Sequence, residues 1–416
     1  MIEEHTLGNG LRVVVHPRRR VPLAAVNIRY GVGSRHEAPG RTGLAHLFEH
    51  LMFQGSAHVA EGEHAAVMER AGAPYDGETW WEHTTYHQTV PIGHLDLTLW
   101  LEADRMGTLP AALSRPRLDN QRDVVKNEIR QRLFGRPYGT AIAHLPALAF
   151  PEAHPYAHTP LGSAADLDAT TTADCLDFHA AHYAPDNAVL AVAGDVDPGR
   201  VFEAAERRFG HLARGAGRPE ARDGAVGPAR GEARMRVAEE VPAPALFRVY
   251  RLPADGTPEI EAADLALRLL GEGRHSRLHD RLVRRDGLAP ACETQVHRFA
   301  GTCSLGVLAV YAAEGADLAA VEEALDAEIL RLSADGPRAE EITRLHAQAE
   351  RRFLDRTSTL AGLAGELTLH ALQFGDAGRA FTAARRASAV TGGDVAAAAT
   401  RLTPDNRGVL IYEKSR

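Results

Sequence analysis

The sequence predicts an α+β protein built from two homologous α/β sandwiches, each a mostly antiparallel sheet with helices on one face. Two observations favour this class. Segments with the alternation typical of strands are interspersed with segments of helical periodicity, a mixture that packs helices against a sheet. The two halves of the chain also end alike, because residues 171–195 and 390–414 both read as a helix, a Pro-Asp-Asn turn and an apolar strand.

The spacing of these turns predicts the domain organisation. Pro185 and Pro404 are 219 positions apart, and a repeat this long indicates a duplicated domain rather than a solenoid. Residues 214–233 are rich in Gly, Pro, Ala and charged residues without an apolar period, which is typical of a linker. We therefore predict an N-terminal domain at 1–213, a linker at 214–233 and a homologous C-terminal domain at 234–416.

Strand and helix patterns alternate through the first half. The predicted strands are LRVVVHP (11–17), AAVNIRYGV (24–32), HTTYHQTVP (83–91) and AVLAVAGDV (188–196). The predicted helices cover residues 43–56, 94–107, 117–133 and 171–183.

Composition excludes several function classes. The 416 residues are 44% hydrophobic and 25% charged, which is ordinary for a globular protein. The net charge of −8 comes from interspersed signs, so no basic face indicates a nucleic-acid partner. Cys175, Cys292 and Cys303 are too few and too scattered for a disulfide framework and fit a reducing compartment. The acidic start and the absence of a long apolar run predict a cytoplasmic protein without a membrane span.

Residues 43–53, GLAHLFEHLMF, place His46, Glu49 and His50 on one side of a predicted helix. The opposite side carries the core-forming residues Leu44, Leu47, Phe48 and Leu51. Histidines four positions apart can both bind one Zn²⁺, and a glutamate beside them can take a proton from a water molecule. H-x-x-E-H inverts the H-E-x-x-H motif of zinc peptidases. When the motif is considered without its surroundings, the alternative to a zinc site is a polar helix face exposed to solvent.

The surrounding sequence resembles a known family. GVGSRHEAPGRTGLAHLFEHLMFQGS (31–56) is similar to the M16 family of inverzincin metallopeptidases, the group that contains pitrilysin, insulin-degrading enzyme and the mitochondrial processing peptidase. The resemblance implies a LuxS/MPP-like fold, a Zn²⁺ cofactor and the hydrolysis of peptide bonds. It continues nearly throughout the chain, at residues 72–91, 120–132, 154–163, 178–196 and 269–289.

The resemblance also implies the remaining residues of the metal site. The third zinc ligand of the family matches Glu128, which lies 78 positions after His50, whereas Asp123 departs further from the family spacing. Without the upstream motif, Glu128 would be interpreted as one more charge on an exposed helix. Glu49 corresponds to the general base and is not expected to bind the metal. Gln121 stands where relatives often have glutamate, and we expect it to form hydrogen bonds behind the ligands.

The family binds an extended peptide beside an edge strand, and PYDGETWW (74–81) is the matching segment. Asp76 and Gly77 are therefore the expected substrate-binding residues. Asp-Gly is also a strong pair for a hairpin turn, so both interpretations stay open.

The C-terminal half departs from the family pattern. Many relatives carry an arginine followed about seven positions later by a tyrosine, but VRRDGLAPAC (283–292) has Pro290 at the tyrosine position. Arg284 or Arg285 could remain from this pair. We therefore predict the zinc subunit of a dimer, a heterodimer whose M16-like partner supplies the Arg/Tyr pair.

Together these features predict an endopeptidase acting on peptides or unfolded polypeptides in a chamber between paired subunits, with precursor or leader-peptide processing as a role it could serve. Two alternatives stay open. One is a non-catalytic core or partner subunit of an M16-type complex, and the other is a zinc hydrolase acting on substrates other than peptides.

Overall fold

The computed structural model describes residues 1–217, 224–227 and 231–415. Residues 218–223 and 228–230 of the predicted linker therefore lie outside the described residues. The chain folds into two compact units, each assembled from three segments. The first unit comprises Met1–Glu128, Thr159–Arg222 and Phe353–Thr382; the second comprises Ile129–His158, Asp223–Arg352 and Ala383–Arg416.

The described ranges contain eleven strands and fourteen α-helices. The strands are β1 Glu3–Thr6, β2 Arg12–Pro17, β3 Leu23–Tyr30, β4 Tyr75–Thr79, β5 Thr84–Pro91, β6 Ala188–Gly194, β7 Ala233–Glu239, β8 Ala245–Leu252, β9 Ala291–His297, β10 Ser304–Tyr311 and β11 Arg407–Lys414. The helices are α1 Leu44–Leu51, α2 Glu63–Arg70, α3 Leu95–Ala112, α4 Arg115–Phe134, α5 Ala141–Ala149, α6 Ala164–Ala169, α7 Thr172–His182, α8 Pro198–Phe209, α9 Pro258–Gly271, α10 Leu318–Asp335, α11 Ala339–Ser358, α12 Leu360–Phe374, α13 Ala383–Ser388 and α14 Gly392–Ala399.

The first unit is built on a six-stranded sheet in the order β1-β2-β6-β3-β5-β4. Only β2 and β6 pair in parallel among these strands. Alternate residues of β3 point to opposite faces, as the pleat requires. Ala25 packs in a cluster with α12, whereas the Tyr30 ring, on the other face, lies 4.7 Å from the ring of Tyr183. Because helices cover both faces, β3 is buried along nearly its whole length.

The second unit repeats this topology. Its sheet has the order β7-β11-β8-β10-β9, with β7 and β11 as the parallel pair, which matches β2-β6-β3-β5-β4 strand for strand. Single 3₁₀ turns at Pro185–Asn187 and Pro404–Asn406 precede the equivalent strands β6 and β11. The predicted fold class, two homologous α+β sandwiches, is confirmed, but helices lie on both faces of the first sheet rather than on one, because α12 covers the face that α3 leaves open.

Each unit also contains a helix from the other half of the sequence. In the first unit, α12 packs against β3 and β6 through Leu363, Ala364, Leu367 and Ala371. In the second, α5 packs against β8 and β11, and a Cβ placed on Gly408 would lie 2.7 Å from Cβ of Leu148. The predicted domain boundaries at 213 and 234 stay a prediction about the sequence repeat, because the compact units are not contiguous in sequence.

Most predicted elements of the first half appear with small shifts in their ends. The helix predicted at 43–56 ends earlier, since α1 stops at Leu51 and Gly55 adopts a left-handed φ of 101°. Within the part of the chain that the structure describes, every helix is too short or too polar to cross a membrane.

Candidate metal centre

A glycine and a buried carboxylate fix the start of α1, the helix that carries the H-x-x-E-H motif. Gly43 precedes α1 with a left-handed φ of 90°, a conformation that glycine adopts without strain. The buried Glu37 carboxylate accepts hydrogen bonds from the backbone N–H groups of Gly43 at 2.9 Å and Ala45 at 2.8 Å. A negatively charged carboxylate at the N-terminus of a helix also interacts favourably with the positive end of the helix dipole. Glu37 therefore fixes where α1 starts.

Three groups meet beside α1. Nε2 of His46 lies 3.6 Å and Nε2 of His50 lies 3.3 Å from the same oxygen, Oε2 of Glu128 on α4. Zinc bonds of 2.0–2.2 Å at tetrahedral angles separate neighbouring ligand atoms by about 3.4 Å. The observed separations match the edges of such a tetrahedron, so these three side chains fit a zinc ion.

Two carboxylates border the imidazoles, and their surroundings differ. Glu49 also lies close to both imidazoles. One of its carboxylate oxygens and one ring nitrogen each of His46 and His50 all lie within 4.8 Å of one another. One oxygen of Glu49 is already engaged, however, since Oγ1 of Thr79 donates a hydrogen bond to Oε2 at 2.5 Å. Glu128 instead directs one oxygen at both imidazoles. The arrangement suits Glu128 as a ligand and Glu49 as a neighbour of the metal.

Glu49 is held in a poorly solvated position, only 9% exposed. Burial raises the pKa of its carboxyl to about 7, although the hydrogen bond from Thr79 and the nearby charge of His50 both lower it. A carboxyl with a pKa near neutrality can both take up and release a proton at physiological pH.

Glu49 faces the edge strand β4, which pairs only with β5 among the strands that the structure describes. A Cβ on Gly77 would lie 3.1 Å from Cγ of Glu49 and 3.1 Å from Cε2 of Phe53, so the strand passes directly against this side chain. Asp76 and Gly77 lie inside β4, and the chain turns later, where the N–H of Trp80 bonds the carbonyl of His83. The alternative that Asp76-Gly77 forms the hairpin turn is wrong.

The two other predicted positions on α4 differ in exposure. Gln121 is buried at 6% exposure, while Asp123 is exposed. The structure therefore brings His46, His50 and Glu128 together and leaves Asp123 in solvent. A role for Gln121 behind the ligands stays a prediction.

Thr79, like Glu37, is a residue of this site that the sequence did not single out. It lies two positions after Gly77, and residues two apart on a strand share one side. The alternation of Tyr75, Gly77 and Thr79 was therefore the available signal. Thr84, next on β5, donates to the carbonyl of Val32 at 2.9 Å and lies 3.5 Å from the Thr79 hydroxyl.

The H-x-x-E-H motif on α1 is the motif of the inverzincin class of zinc peptidases. Two family models match the chain, Insulinase (Peptidase family M16) at residues 12–133 and Peptidase M16 inactive domain at residues 170–349. The chain belongs to peptidase family M16, which confirms the predicted resemblance.

Similar proteins carry zinc protease names. The chain is 33% identical to the zinc protease PqqE of Helicobacter pylori over 69% of this chain and 65% of that protein, just under two thirds of the relative's length. It is 32% identical to an uncharacterized zinc protease of Mycobacterium tuberculosis over 74% and 69% of the two chains. The crystal structure of a protease from Helicobacter pylori superimposes with a TM-score of 0.93 at 25% identity, covering 99% of both chains.

Proposed function

We propose that this chain is a zinc-dependent endopeptidase that hydrolyses peptides or unfolded polypeptides. The observation that carries the proposal is the convergence of His46, His50 and Glu128 beside Glu49. The donor set, two imidazoles and one carboxylate, is the set found in catalytic zinc sites that keep a fourth position for water. Bound zinc would polarise the scissile carbonyl and lower the pKa of a bound water.

Glu49 supplies the proton transfers in this proposal. Its Oε2 is held by Thr79, which leaves Oε1 to accept a proton from the attacking water and to deliver it to the leaving amine. Gly77 keeps the space beside Oε1 open, because any Cβ there would lie 3.2 Å from that oxygen.

We place the substrate along β4. An extended peptide can add a strand to an exposed sheet edge, and main-chain hydrogen bonds then bind it irrespective of its sequence. β4 is such an edge and passes Glu49, so a peptide paired there would present a backbone carbonyl to the metal site. Asp76 is exposed on this strand and adds a negative charge, which we expect to disfavour acidic side chains nearby.

The decisive experiment separates metal binding from chemistry. Glu49→Gln is expected to retain stoichiometric zinc and lose about 10²–10⁴-fold in kcat on a peptide library, because general base catalysis contributes that much. His46→Ala and Glu128→Ala are expected to lose zinc itself, measured by metal analysis after dialysis. Asp123→Ala, on the exposed side of the same helix as Glu128, is the matched control and should keep both. Full activity in Glu49→Gln would refute the mechanism.

We further propose that the chain is the zinc subunit of a heterodimer in the cytoplasm. Support for a partner comes from Pro290, which is exposed just before β9 where many relatives have tyrosine. Support for a reducing compartment comes from Cys175, Cys292 and Cys303, all three unpaired thiols. The zinc-loaded chain alone is then expected to show weak turnover and to gain activity with an M16-like subunit carrying the Arg/Tyr pair. Robust turnover by a purified homodimer would contradict this arrangement.

A non-catalytic core or partner subunit is the second candidate, because the model that matches residues 170–349 is described as an inactive domain. Zinc content distinguishes the two, since a subunit that has lost the chemistry has no need of a metal. Substoichiometric zinc after expression with excess metal would favour the second candidate.

A further inference from the structure

A polar pocket of about 640 Å³ lies within the second unit, far along the chain from the zinc-binding motif. Its walls come from the segment after α9, from the π-helix His279–Arg285, and from the end of α10 and the start of α11. Seven arginines line it against four carboxylates, in a chain whose net charge is −8. The pocket is therefore locally positive on an acidic protein.

Four of these arginines form ion pairs with three of the carboxylates that line the pocket. The buried carboxylate of Glu341 accepts hydrogen bonds from Arg277 at 2.8 and 3.1 Å and from Arg338 at 3.2 Å. Arg331 pairs with Glu328 at 2.9 Å, and Arg285 pairs with an aspartate one π-turn away. Arg277 also donates to the carbonyl of Gly336 at 2.9 Å, which fixes the wall between α10 and α11.

Three arginines remain without a carboxylate partner among the described residues, namely Arg274, Arg284 and Arg344. Arg344 donates to the carbonyl of His275 at 3.1 Å, which holds it on the wall, while Arg274 and Arg284 are exposed. Arg284 belongs to the π-helix, and the wider turns of π-helices are rare and often mark functional sites.

We propose that this arginine-lined pocket binds a compact polyanion, a ligand with several adjacent anionic oxygens of the kind shared by polyphosphates and polycarboxylates. Guanidinium groups form paired hydrogen bonds to such oxygens, and Arg is preferred to Lys for this purpose. The volume is within the usual range of small-molecule sites, but the charged walls exclude an apolar ligand. The proposal does not rest on the peptidase function.

Calorimetric titration of the full-length zinc-loaded protein at low ionic strength tests it, with inorganic tripolyphosphate and citrate as the two probes. The pocket variant is Arg274→Gln with Arg284→Gln, exposed residues whose loss leaves the ion pairs of Glu341 intact. Arg19→Gln with Arg20→Gln is the matched control, because these arginines are also exposed, lie outside the pocket and carry the same charge.

The wild type and the control are expected to bind at least one probe with the same affinity, and the pocket variant at least tenfold more weakly. Preference for tripolyphosphate would indicate a phosphate-bearing ligand, and preference for citrate a polycarboxylate. Both probes also chelate zinc, but equally in all three proteins, so the comparison isolates the pocket. Equal affinity in all three proteins, equal weakening in both variants, or no binding by the wild type would overturn the proposal.

Discussion

Thr79 shows what a single hydroxyl contributes to the proposed site. A buried carboxylate can rotate unless one oxygen is anchored, and the 2.5 Å bond from Thr79 anchors Oε2 of Glu49. Thr79→Val removes this bond while keeping the shape of the side chain. We expect unchanged zinc content and KM but a fall in kcat of about tenfold, the value of roughly one charge-assisted hydrogen bond.

Thr79→Ser is the control, since it keeps the hydroxyl and should restore most of the lost kcat. A merely structural role for Thr79 would instead change unfolding or zinc content together with activity. If the valine variant turns over at the wild-type rate, Glu49 is not positioned through Thr79.

At this scale, the sequence predicted which residues approach one another but not how they are held. His46, Glu49 and His50 share a helix face by periodicity alone, and family spacing led to Glu128. Glu37 and Thr79 act through hydrogen bonds that join different elements, and no periodicity reports such contacts. The alternation of Tyr75, Gly77 and Thr79 indicates that the hydroxyl shares a side with Gly77, but not that it bonds Glu49.

The strand β4 passes next to Glu49 and forms although part of its sequence favours a turn. Its five residues include Asp76-Gly77, a pair with strong turn propensity, yet the strand forms because β5 pairs with it from Tyr75↔Gln88 to Thr79↔Thr84. Tertiary pairing thus overrides a local preference. Gly77 serves close approach here, because its φ lies outside the left-handed region and only space demands glycine.

Gly77→Ala tests this close approach. The new methyl group would lie 3.1–3.2 Å from Cγ and Oε1 of Glu49, tighter than ordinary contact, so Glu49 must shift. We expect kcat/KM to fall about ten- to a hundredfold with a thermal transition close to that of the wild type. Gly93→Ala is the matched control, since a Cβ there meets no atom within 4 Å among the described residues. Equal activity of the two variants would show that Glu49 tolerates displacement.

The two units are copies of one fold, and each includes a helix from the other half of the sequence. The repeat of 219 positions predicted both sheets, but it could not predict that α12 and α5 pack in the unit opposite to their place in the sequence. Both helices have ordinary amphipathic or apolar patterns, and a helical pattern does not specify which sheet it will cover. The sequence repeat predicted two similar sheets, whereas the origin of the covering helices was not predicted.

The exchange has a consequence for fragments. A chain ending at residue 217 keeps all six strands of the first sheet but lacks α12, so the face formed by residues such as Val14, Ala25 and Ala191 loses its apolar cover. It also loses polar partners, because Thr368 of α12 donates to Oδ1 of Asn27 at 2.6 Å. An apolar sheet face that is exposed to solvent favours aggregation.

We therefore expect the 1–217 fragment to bind a hydrophobic dye and to unfold without a sharp transition. Addition of a peptide spanning residues 353–382, the third segment of the first unit, should suppress dye binding and restore cooperative unfolding in calorimetry. The same peptide with Leu367→Asp is the control, because Leu367 is fully buried in the interface and a charge there should abolish rescue. A monomeric 1–217 fragment that melts cooperatively on its own would mean that the first sheet is stable without α12.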